Sequence, residues 1–253
     1  MTTFESGFTR QAREMIEAAR TIAVLTGAGM SAESGIPTFR QAQTGLWARY
    51  SPQMLATAEA WRRDTALVWG WYLWRMVGVR AAQPNAGHIA LAQAARSRPI
   101  TVITQNVDDL HERAGSTGVL HLHGDLFAHR CFTCGHPFQG VELPDPAAEP
   151  TPLEPPRCPQ CNDYIRPGVV WFGEDLPAAP YRAAVEASQT CDLMLVVGTA
   201  GVVYPAAGLP ALARQHGARI IEINPQETEL SAQADLCLRG GAAQVLPRVL
   251  AVA

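Results

Sequence analysis

Lysine is absent from this sequence, since all 20 basic residues of the 253-residue chain are arginines. Charged residues are also scarce, at 17% of the chain, and with 23 acidic residues the net charge is −3. Such a chain has no general positive field that would attract nucleic acid or an anionic membrane surface. We therefore expect no sequence-specific nucleic-acid partner. Hydrophobic residues make up 47% of the chain, as in an ordinary globular protein.

An uninterrupted membrane-spanning segment is also missing. Residues 193–213 carry no charge and would be long enough to cross a bilayer, but glycines and prolines divide them into a strand, a loop and a helix start. Glutamates and arginines are mixed over residues 4–20, which predicts an amphipathic first helix rather than a targeting peptide. We expect a cytoplasmic protein that makes no membrane contact.

A glycine-rich loop follows the first predicted strand. Residues 21–26 are apolar and rich in β-branched side chains, as in a buried parallel strand. The next residues are Gly27, Ala28 and Gly29, and glycines at such a turn let main-chain N–H groups approach a pyrophosphate. By itself the pattern fits an ordinary tight turn equally well.

Further apolar strands alternate with helical segments, which predicts an α/β fold with a doubly wound parallel sheet. The strands are predicted at residues 21–26, 100–104, 193–197, 219–223 and about 235–238. Open α/β sheets bind ligands at the carboxyl ends of such strands. The polar or small residues at these ends are Gln105, Asn106, Asp108, Gly198, Thr199 and Asn224.

Two histidines mark another predicted strand, at residues 119–125. His121 and His123 are two positions apart, so they are expected to point to one face. An imidazole with a pKa of about 6.5 can accept a proton at neutral pH. Most single histidines have structural roles, and we expect His121 to pack or to support His123.

Four cysteines form two CxxC pairs, Cys131 with Cys134 and Cys158 with Cys161, separated by 23 residues. This spacing is a strong signal for a tetrahedral zinc ion held by four thiolates. Four protein ligands leave no open coordination position, so the predicted zinc is structural. The pairing also favours metal binding over disulfides. It therefore favours a reducing compartment as well.

These strings together resemble the sirtuins, the NAD-dependent protein deacylases. The resemblance implies a Rossmann-like NAD-binding domain with a smaller zinc-ribbon and helical module. The motifs occur in the family's order: the glycine loop of residues 27–40, Thr104 to His111, His123-Gly124, the paired CxxC and Val169 to Glu174. The implied domain is residues 1–40, 84–127 and 165–253, with a helical insertion at 41–83 and a zinc-binding module at 128–164.

The resemblance implies that NAD is a co-substrate and that His123 is the catalytic base. His123 would deprotonate the nicotinamide ribose during acyl transfer, which yields nicotinamide, free lysine and O-acyl-ADP-ribose. The family usually has Ser after Thr199, but this chain has Ala200, which removes one hydroxyl. The implied NAD contacts are Gly27, Ala28, Gly29, Ser31, Phe39, Arg40, Gln105, Asn106, Asp108, Gly198, Thr199, Asn224 and Ala242.

The resemblance also implies that the partners are proteins with acylated lysine, bound as an extended peptide that adds as a strand. Val169, Trp171 and Phe172 would offer one edge, and Val202 with Tyr204 would flank the peptide from the other side. Because the chain has no lysine, it cannot be its own side-chain substrate. We expect a monomer.

Tyr72 and Arg75 lie three residues apart, hence on one helical face. Spacing alone favours an ordinary surface face. The pair nevertheless resembles the class III branch of the family, in which it receives the carboxylate of malonyl- or succinyl-lysine and a small residue such as Ala56 widens the acyl pocket. Three alternatives stay open: a mainly deacetylating enzyme, a protein mono-ADP-ribosyltransferase and a non-catalytic reader.

Overall fold

The computed structural model describes residues 7–38 and 52–251. Within these ranges, strands and helices alternate along the chain. The strands are β1 (Ile22–Thr26), β2 (Ile100–Thr104), β3 (Leu120–His121), β4 (Gly124–Cys131), β5 (Ile165–Val169), β6 (Leu193–Val197), β7 (Arg219–Ile223) and β8 (Leu236–Leu238). The helices are α1 (Gly7–Ala18), α2 (Pro52–Leu55), α3 (Ala58–Arg63), α4 (Thr65–Ala81), α5 (Ala86–Ala94), α6 (Leu110–Arg113), α7 (Ala178–Thr190), α8 (Leu209–Gln215) and α9 (Ala242–Leu250).

Six strands form the main sheet in the order β3-β2-β1-β6-β7-β8, and each neighbouring pair is parallel. The predicted doubly wound, Rossmann-like sheet is therefore confirmed. The chain order reverses between β1 and β6, which lie side by side although most of the chain separates them. In such folds this switch point is where a crevice forms outside the carboxyl ends of the strands.

Helices cover both faces of the main sheet. Successive residues of a strand point to opposite faces. Accordingly Val24 packs in one core with Leu91 of α5 and Leu246 of α9, while Leu25 packs in another with Ala184 of α7. Both faces of β1 are apolar for this reason. Among the described helices, none combines the length and the hydropathy needed to cross a bilayer.

The strands β4 and β5 pair with each other in a separate antiparallel sheet. One prediction is wrong here, since residues 119–125 are not one strand, and β5 belongs to this second sheet rather than to the main one. β3 stops at His121, and Gly124 begins β4 with a φ of 76°. A Cβ at Gly124 would lie 2.1 Å from the carbonyl oxygen of Gly168, so the close pairing of β4 with β5 requires glycine.

A third core surrounds α3 and α4, which lie in the helical insertion. Trp61, Trp69, Trp71 and Tyr72 are all nearly inaccessible to solvent, and they pack with Trp171 from the chain beyond β5. Because α4 is apolar on most of its circumference, it is buried on most sides.

An extended proline-rich segment, residues 144–157, runs along α4. Its main chain accepts a hydrogen bond from Trp74 Nε1 at the carbonyl of Ala147 (2.9 Å), and Leu153 N–H donates to the carbonyl of Ala66 (3.0 Å). The segment thus connects the cysteine module to the helix that carries Tyr72 and Arg75.

Candidate active site

The glycine loop after β1 packs directly against the loop after β6. Gly27 N–H donates to the carbonyl of Val197 (3.0 Å), and Gly29 N–H donates to that of Gly198 (2.8 Å). A Cβ at Gly29 would lie 2.7 Å from Gly198 Cα, and one at Gly27 would lie 2.8 Å from Thr199 Cβ. The two glycines are therefore required by loop packing, and their own N–H groups already have acceptors.

A buried polar cluster joins the glycine loop to the loop after β2. Ser31 Oγ donates to Asp108 Oδ2 (3.0 Å), and Asn106 Nδ2 donates to Ser31 Oγ (3.1 Å). Burial raises the pKa of the Asp108 carboxyl, although Leu110 N–H and Ser31 donate to it and oppose the rise. Within the part of the chain that is described, Ser31 is bonded to protein groups, so its predicted contact with NAD stays a prediction.

A second set of contacts crosses the carboxyl edge of the sheet. Gln105 Nε2 donates to Thr199 Oγ1 (3.0 Å), and Asn224 Nδ2 donates to the carbonyl of Thr199 (3.0 Å). The structure thereby brings together residues from the ends of β2, β6 and β7. Ala242 starts α9 and is buried near the same edge, where its carbonyl closely approaches Gly87.

His123 stands between β3 and β4 with one ring nitrogen bonded. Its Nδ1 lies 3.0 Å from the carbonyl oxygen of Gln105, which can only accept, so Nδ1 carries the hydrogen. Nε2 is left with a lone pair. Burial lowers the pKa of His123, partly offset by the hydrogen bond to Gln105. The side chain is therefore a neutral imidazole that can accept a proton at Nε2.

Tyr72 and Arg75 lie side by side on α4, as their spacing predicts. Tyr72 is 1% exposed, and its hydroxyl oxygen accepts a hydrogen bond from Trp171 Nε1 (2.9 Å). Burial raises the pKa of Tyr72 to about 12, against the lowering effect of the Arg75 charge. The phenol is therefore neutral at physiological pH and keeps a proton to donate.

The Arg75 guanidinium lies over aromatic rings, with Cζ 4.8 Å from the ring centroid of Trp71 and 5.6 Å from that of Tyr72. Burial lowers its pKa, while Tyr72 and Asp108 act in the opposite direction. None of the carboxylates in residues 7–38 and 52–251 forms an ion pair with it. Arg75 is thus a half-buried cation that has no anionic partner within these described residues.

The main-chain N–H groups of the predicted peptide edge at residues 169–172 largely donate to acceptors within the protein itself. Main-chain N–H groups in this segment donate to the carbonyl of His123 (from Val170, 2.8 Å), to Glu174 Oε2 (from Trp171, 2.8 Å) and to the carbonyl of Ala56 (from Phe172, 2.9 Å). These three donors are therefore already used.

Side-chain exposure divides the predicted peptide contacts into two groups. Val169 and Trp171 are buried in the aromatic core, so their side chains face inward. Phe172, Val202 and Tyr204 are 45%, 56% and 73% exposed. A contiguous exposed apolar patch marks an interaction surface, whereas single exposed apolar side chains are ordinary.

The four predicted metal ligands converge. Their sulfur atoms all lie within 4.8 Å of one another, with Cys131 to Cys161 at 3.4 Å and Cys134 to Cys158 at 3.6 Å. A tetrahedral zinc with Zn–S bonds of about 2.3 Å would place sulfurs about 3.8 Å apart. The donor set fits zinc. Cys131 ends β4 and Gly124 begins it, so this strand, at about 3.3 Å per residue, separates the cluster from His123 by up to about 25 Å.

Comparison with known proteins identifies the family. The sequence model described as the Sir2 family matches residues 27–205. The chain belongs to the Sir2 family. This is the sirtuin family that the motifs predict, and the chain is an enzyme of that family.

Curated and structural relatives of this Sir2-family chain support the same family assignment. An NAD-dependent protein deacylase 1 of Pseudomonas aeruginosa is 54% identical over 241 residues, covering 94% of this chain and 96% of the relative. A solved Sir2 homologue in complex with NAD is 46% identical, covers 95% of this chain and 92% of its own, and has a TM-score of 0.88. A Sir2 protein solved with a myristoylated histone peptide is 31% identical, with coverages of 97% and 96% and a TM-score of 0.76.

The sequence does not predict the contacts of two side chains of this Sir2-family site. Asn85 Nδ2 donates to the carbonyl of Met30 (2.8 Å) and to Ser34 Oγ (3.1 Å), which holds the glycine loop from the side of α5. Glu33 accepts a hydrogen bond from Ala243 N–H (2.6 Å) at the start of α9. The sequence marks Asn85 only as a helix-capping turn residue, and nothing in it connects Glu33 with α9.

Two predicted NAD contacts, Phe39 and Arg40, lie outside the described residues. Their roles stay predictions.

Proposed function

We propose that this Sir2-family enzyme is an NAD-dependent protein-lysine deacylase that favours succinyl and malonyl groups and removes acetyl groups more weakly. The observation that carries the acyl preference is Arg75, a half-buried guanidinium without a carboxylate partner among the described residues. Beside it lies the Tyr72 phenol. A terminal carboxylate on the acyl chain would supply the missing anion.

The residues at the carboxyl edge of the sheet fit NAD. Amide and carboxylate groups of Gln105, Asn106 and Asp108 offer the donors and acceptors that a ribose and a carboxamide need, and Asn224 holds the adjoining loop through Thr199. When bound, NAD would supply an electrophilic C1′ at which the acyl oxygen replaces nicotinamide as the bonded group. Gly27, Ala28, Gly29, Gly198 and Ala242 would line the rest of the site.

His123 would act as the general base. Its Nδ1–H is held by the carbonyl of Gln105, so Nε2 is oriented to accept a proton from a ribose hydroxyl. The carbonyl that accepts from Nδ1–H also helps to stabilise the imidazolium that forms. The products would be nicotinamide, the free lysine and O-acyl-ADP-ribose.

The substrate peptide would lie across the exposed apolar side chains of Phe172, Val202 and Tyr204. The solved relative that binds a myristoylated histone peptide supports an acylated peptide as the ligand class. Because the N–H groups of residues 170–172 are occupied, strand pairing would use carbonyl groups there or the loop of Val202 and Tyr204. The four cysteines would hold one structural zinc, and a monomeric, cytoplasmic state remains a prediction.

The size of the acyl preference follows from the charge on Arg75. A charge-assisted hydrogen bond contributes about 1.5–3 kcal/mol. At about 1.4 kcal/mol per factor of ten, this is on the order of a 10- to 100-fold preference for succinyl over acetyl.

The test compares kcat/KM for two peptides that differ only in acetyl- or succinyl-lysine, in the parent and in Arg75→Met. We expect the parent to favour succinyl by about tenfold or more, the lower end of the charge-assisted range, and Arg75→Met to lose that preference while keeping acetyl turnover. Arg63→Met, which replaces an exposed arginine on the neighbouring helix, is the matched control.

An unchanged succinyl-to-acetyl ratio in Arg75→Met would overturn the acyl assignment. Faster turnover of acetyl than of succinyl by the parent would keep the deacylase and point to a deacetylase. Radiolabel from NAD that stays on protein would instead indicate an ADP-ribosyltransferase.

A further inference from the structure

Two histidines hold two successive carbonyls of the loop after β2. His123 Nδ1 lies 3.0 Å from the carbonyl oxygen of Gln105, and His121 Nδ1 lies 3.2 Å from that of Asn106. The second nitrogen of His121 differs from that of His123, because His121 Nε2 lies 2.7 Å from Glu112 Oε1. Glu112 is on the short helix α6 that follows the same loop.

The two hydrogen-bond partners of His121 determine its protonation state. A backbone carbonyl has no hydrogen to donate, and an ionised carboxylate can only accept. Both ring nitrogens of His121 must therefore carry hydrogen for both bonds to form. His121 is an imidazolium cation, whereas His123, with one bonded nitrogen, is a neutral base.

The charges around His121 agree with this state. Glu112 faces it from α6, Asp125 from β4 and Asp108 from the loop after β2, while His111 is a neutral neighbour because burial lowers its pKa to about 3. Burial by itself would lower the pKa of His121, but the hydrogen bond and charge of Glu112 outweigh it and the pKa is raised. Three carboxylates thus surround one cation.

Asn106 connects His121 to the proposed NAD site through hydrogen bonds. Its N–H donates to Thr104 Oγ1 (3.0 Å), and its Nδ2 donates to Ser31 Oγ (3.1 Å). Its carbonyl oxygen accepts from His121. Two of these bonds hold the main chain of Asn106 and one holds its side chain, so loss of the His121 bond would release the Asn106 carbonyl and leave the main chain with one restraint fewer.

We propose that His121 is a positioning residue, which as an imidazolium paired with Glu112 fixes the Asn106 carbonyl and favours the ionised form of Asp108. Catalysis should therefore decline at alkaline pH, when His121 loses its proton. This inference rests on the site proposed above at His123 and Asn106. It does not alter the assignment of the base, because His123 works in its neutral form.

The experiment measures kcat against pH for deacylation at saturating NAD and peptide, in the parent, in Glu112→Gln and in the control Glu186→Gln. The amide introduced by Glu112→Gln would keep a hydrogen-bonding side chain but would not hold the imidazolium. We expect the alkaline decline to move to lower pH by about 1 unit in Glu112→Gln, the lower end of what a charge-assisted bond gives for a half-exposed pair. Glu186 is exposed on α7, and its substitution should leave the profile unchanged.

A second measurement does not depend on activity. In the ¹⁵N spectrum of the parent enzyme at pH 7.5, both nitrogens of His121 should have the shifts of protonated nitrogens, and the parent pKa should exceed that of Glu112→Gln. A neutral His121 at pH 7.5 would overturn the proposal, as would superimposable pH profiles for the parent and Glu112→Gln. A parent without deacylase activity would instead count against the proposed function, and the spectrum would still decide the state of His121.

Discussion

Replacement of Gly70 by alanine should destabilise the protein, although alanine is the better helix former. Gly70 is buried in the middle of α4, and the proline-rich segment crosses the helix at this point. A Cβ at Gly70 would lie 1.9 Å from the carbonyl oxygen of Thr151 and 2.8 Å from its carbonyl carbon. Both atoms belong to main chain, so the segment itself would have to move away.

The magnitude follows from three contributions. Overpacking in a well-packed region costs about 1–3 kcal/mol. Displacement of the segment also weakens the hydrogen bonds from Trp74 Nε1 and Leu153 N–H, each worth about 0.5–1.5 kcal/mol. Alanine returns about 1 kcal/mol of helix propensity. The net loss of unfolding free energy should be about 1–5 kcal/mol, with the upper end reached if both hydrogen bonds are lost.

Gly78 provides a matched control on the same helix. It is exposed, has an ordinary helical φ, and a Cβ there would meet no atom within 4 Å. Gly78→Ala should therefore stabilise the protein by about 0.5–1 kcal/mol. Thermal unfolding should show opposite shifts for the two variants, at about 2–4 °C per kcal/mol for a chain of this size. A Gly70→Ala variant as stable as the parent would refute the account of the crossing.

Three further predictions concern the site and the cysteine cluster. Gly124→Ala should lower kcat by about 100-fold, because a Cβ would meet the Gly168 carbonyl and displace the neighbouring His123 by an ångström or so, whereas Gly118→Ala, also at positive φ but in open space, should keep its kcat. The acid limb of kcat/KM should have its midpoint below about pH 6.5, because burial lowers the pKa of His123 and the base stays neutral to lower pH; a midpoint above this value would contradict the assignment. Chelation of zinc, or Cys161→Ser, should lower the melting temperature together with the zinc content measured by atomic absorption, and unchanged melting after complete metal loss would show that the cluster is not structural.

The main sheet could be predicted because its strands are buried on both faces. Each of β1 and β6 is an uninterrupted apolar run, and runs of this kind followed by polar or small residues indicate parallel strands that end at a site. The positions of Gln105, Asn106 and Asn224 at one edge follow from this topology. The convergence of the four cysteines follows from their spacing.

The second sheet could not be predicted, for a physical reason. β5 contains Arg166, Pro167 and Gly168, so neither an apolar run nor a regular alternation marks it as a strand. It forms because Gly124 and Gly168 let β4 and β5 approach closely, a contact between residues more than 40 positions apart. Sequence periodicity carries no information about such a pairing.

The hydrogen bonds that connect residues within the site could not be predicted from the sequence either. His121 and Glu112 are on different elements, and although the sequence predicts that His121 packs or supports His123, nothing in it pairs His121 with Glu112. Glu33 and Ala243 are 210 residues apart. The pattern predicted which residues would lie near the site, but not which of them hold one another.

The central claim is that this enzyme transfers the acyl group of an acyl-lysine to ADP-ribose with His123 as the base. The most direct measurement incubates the enzyme and His123→Ala with NAD and a succinyl-lysine peptide and quantifies the products by mass spectrometry. The account predicts that the parent forms nicotinamide, the desuccinylated peptide and O-succinyl-ADP-ribose in equal amounts. It predicts that His123→Ala no longer forms O-succinyl-ADP-ribose. Release of nicotinamide with ADP-ribose attached to protein, or equal formation of O-succinyl-ADP-ribose by His123→Ala, would contradict it.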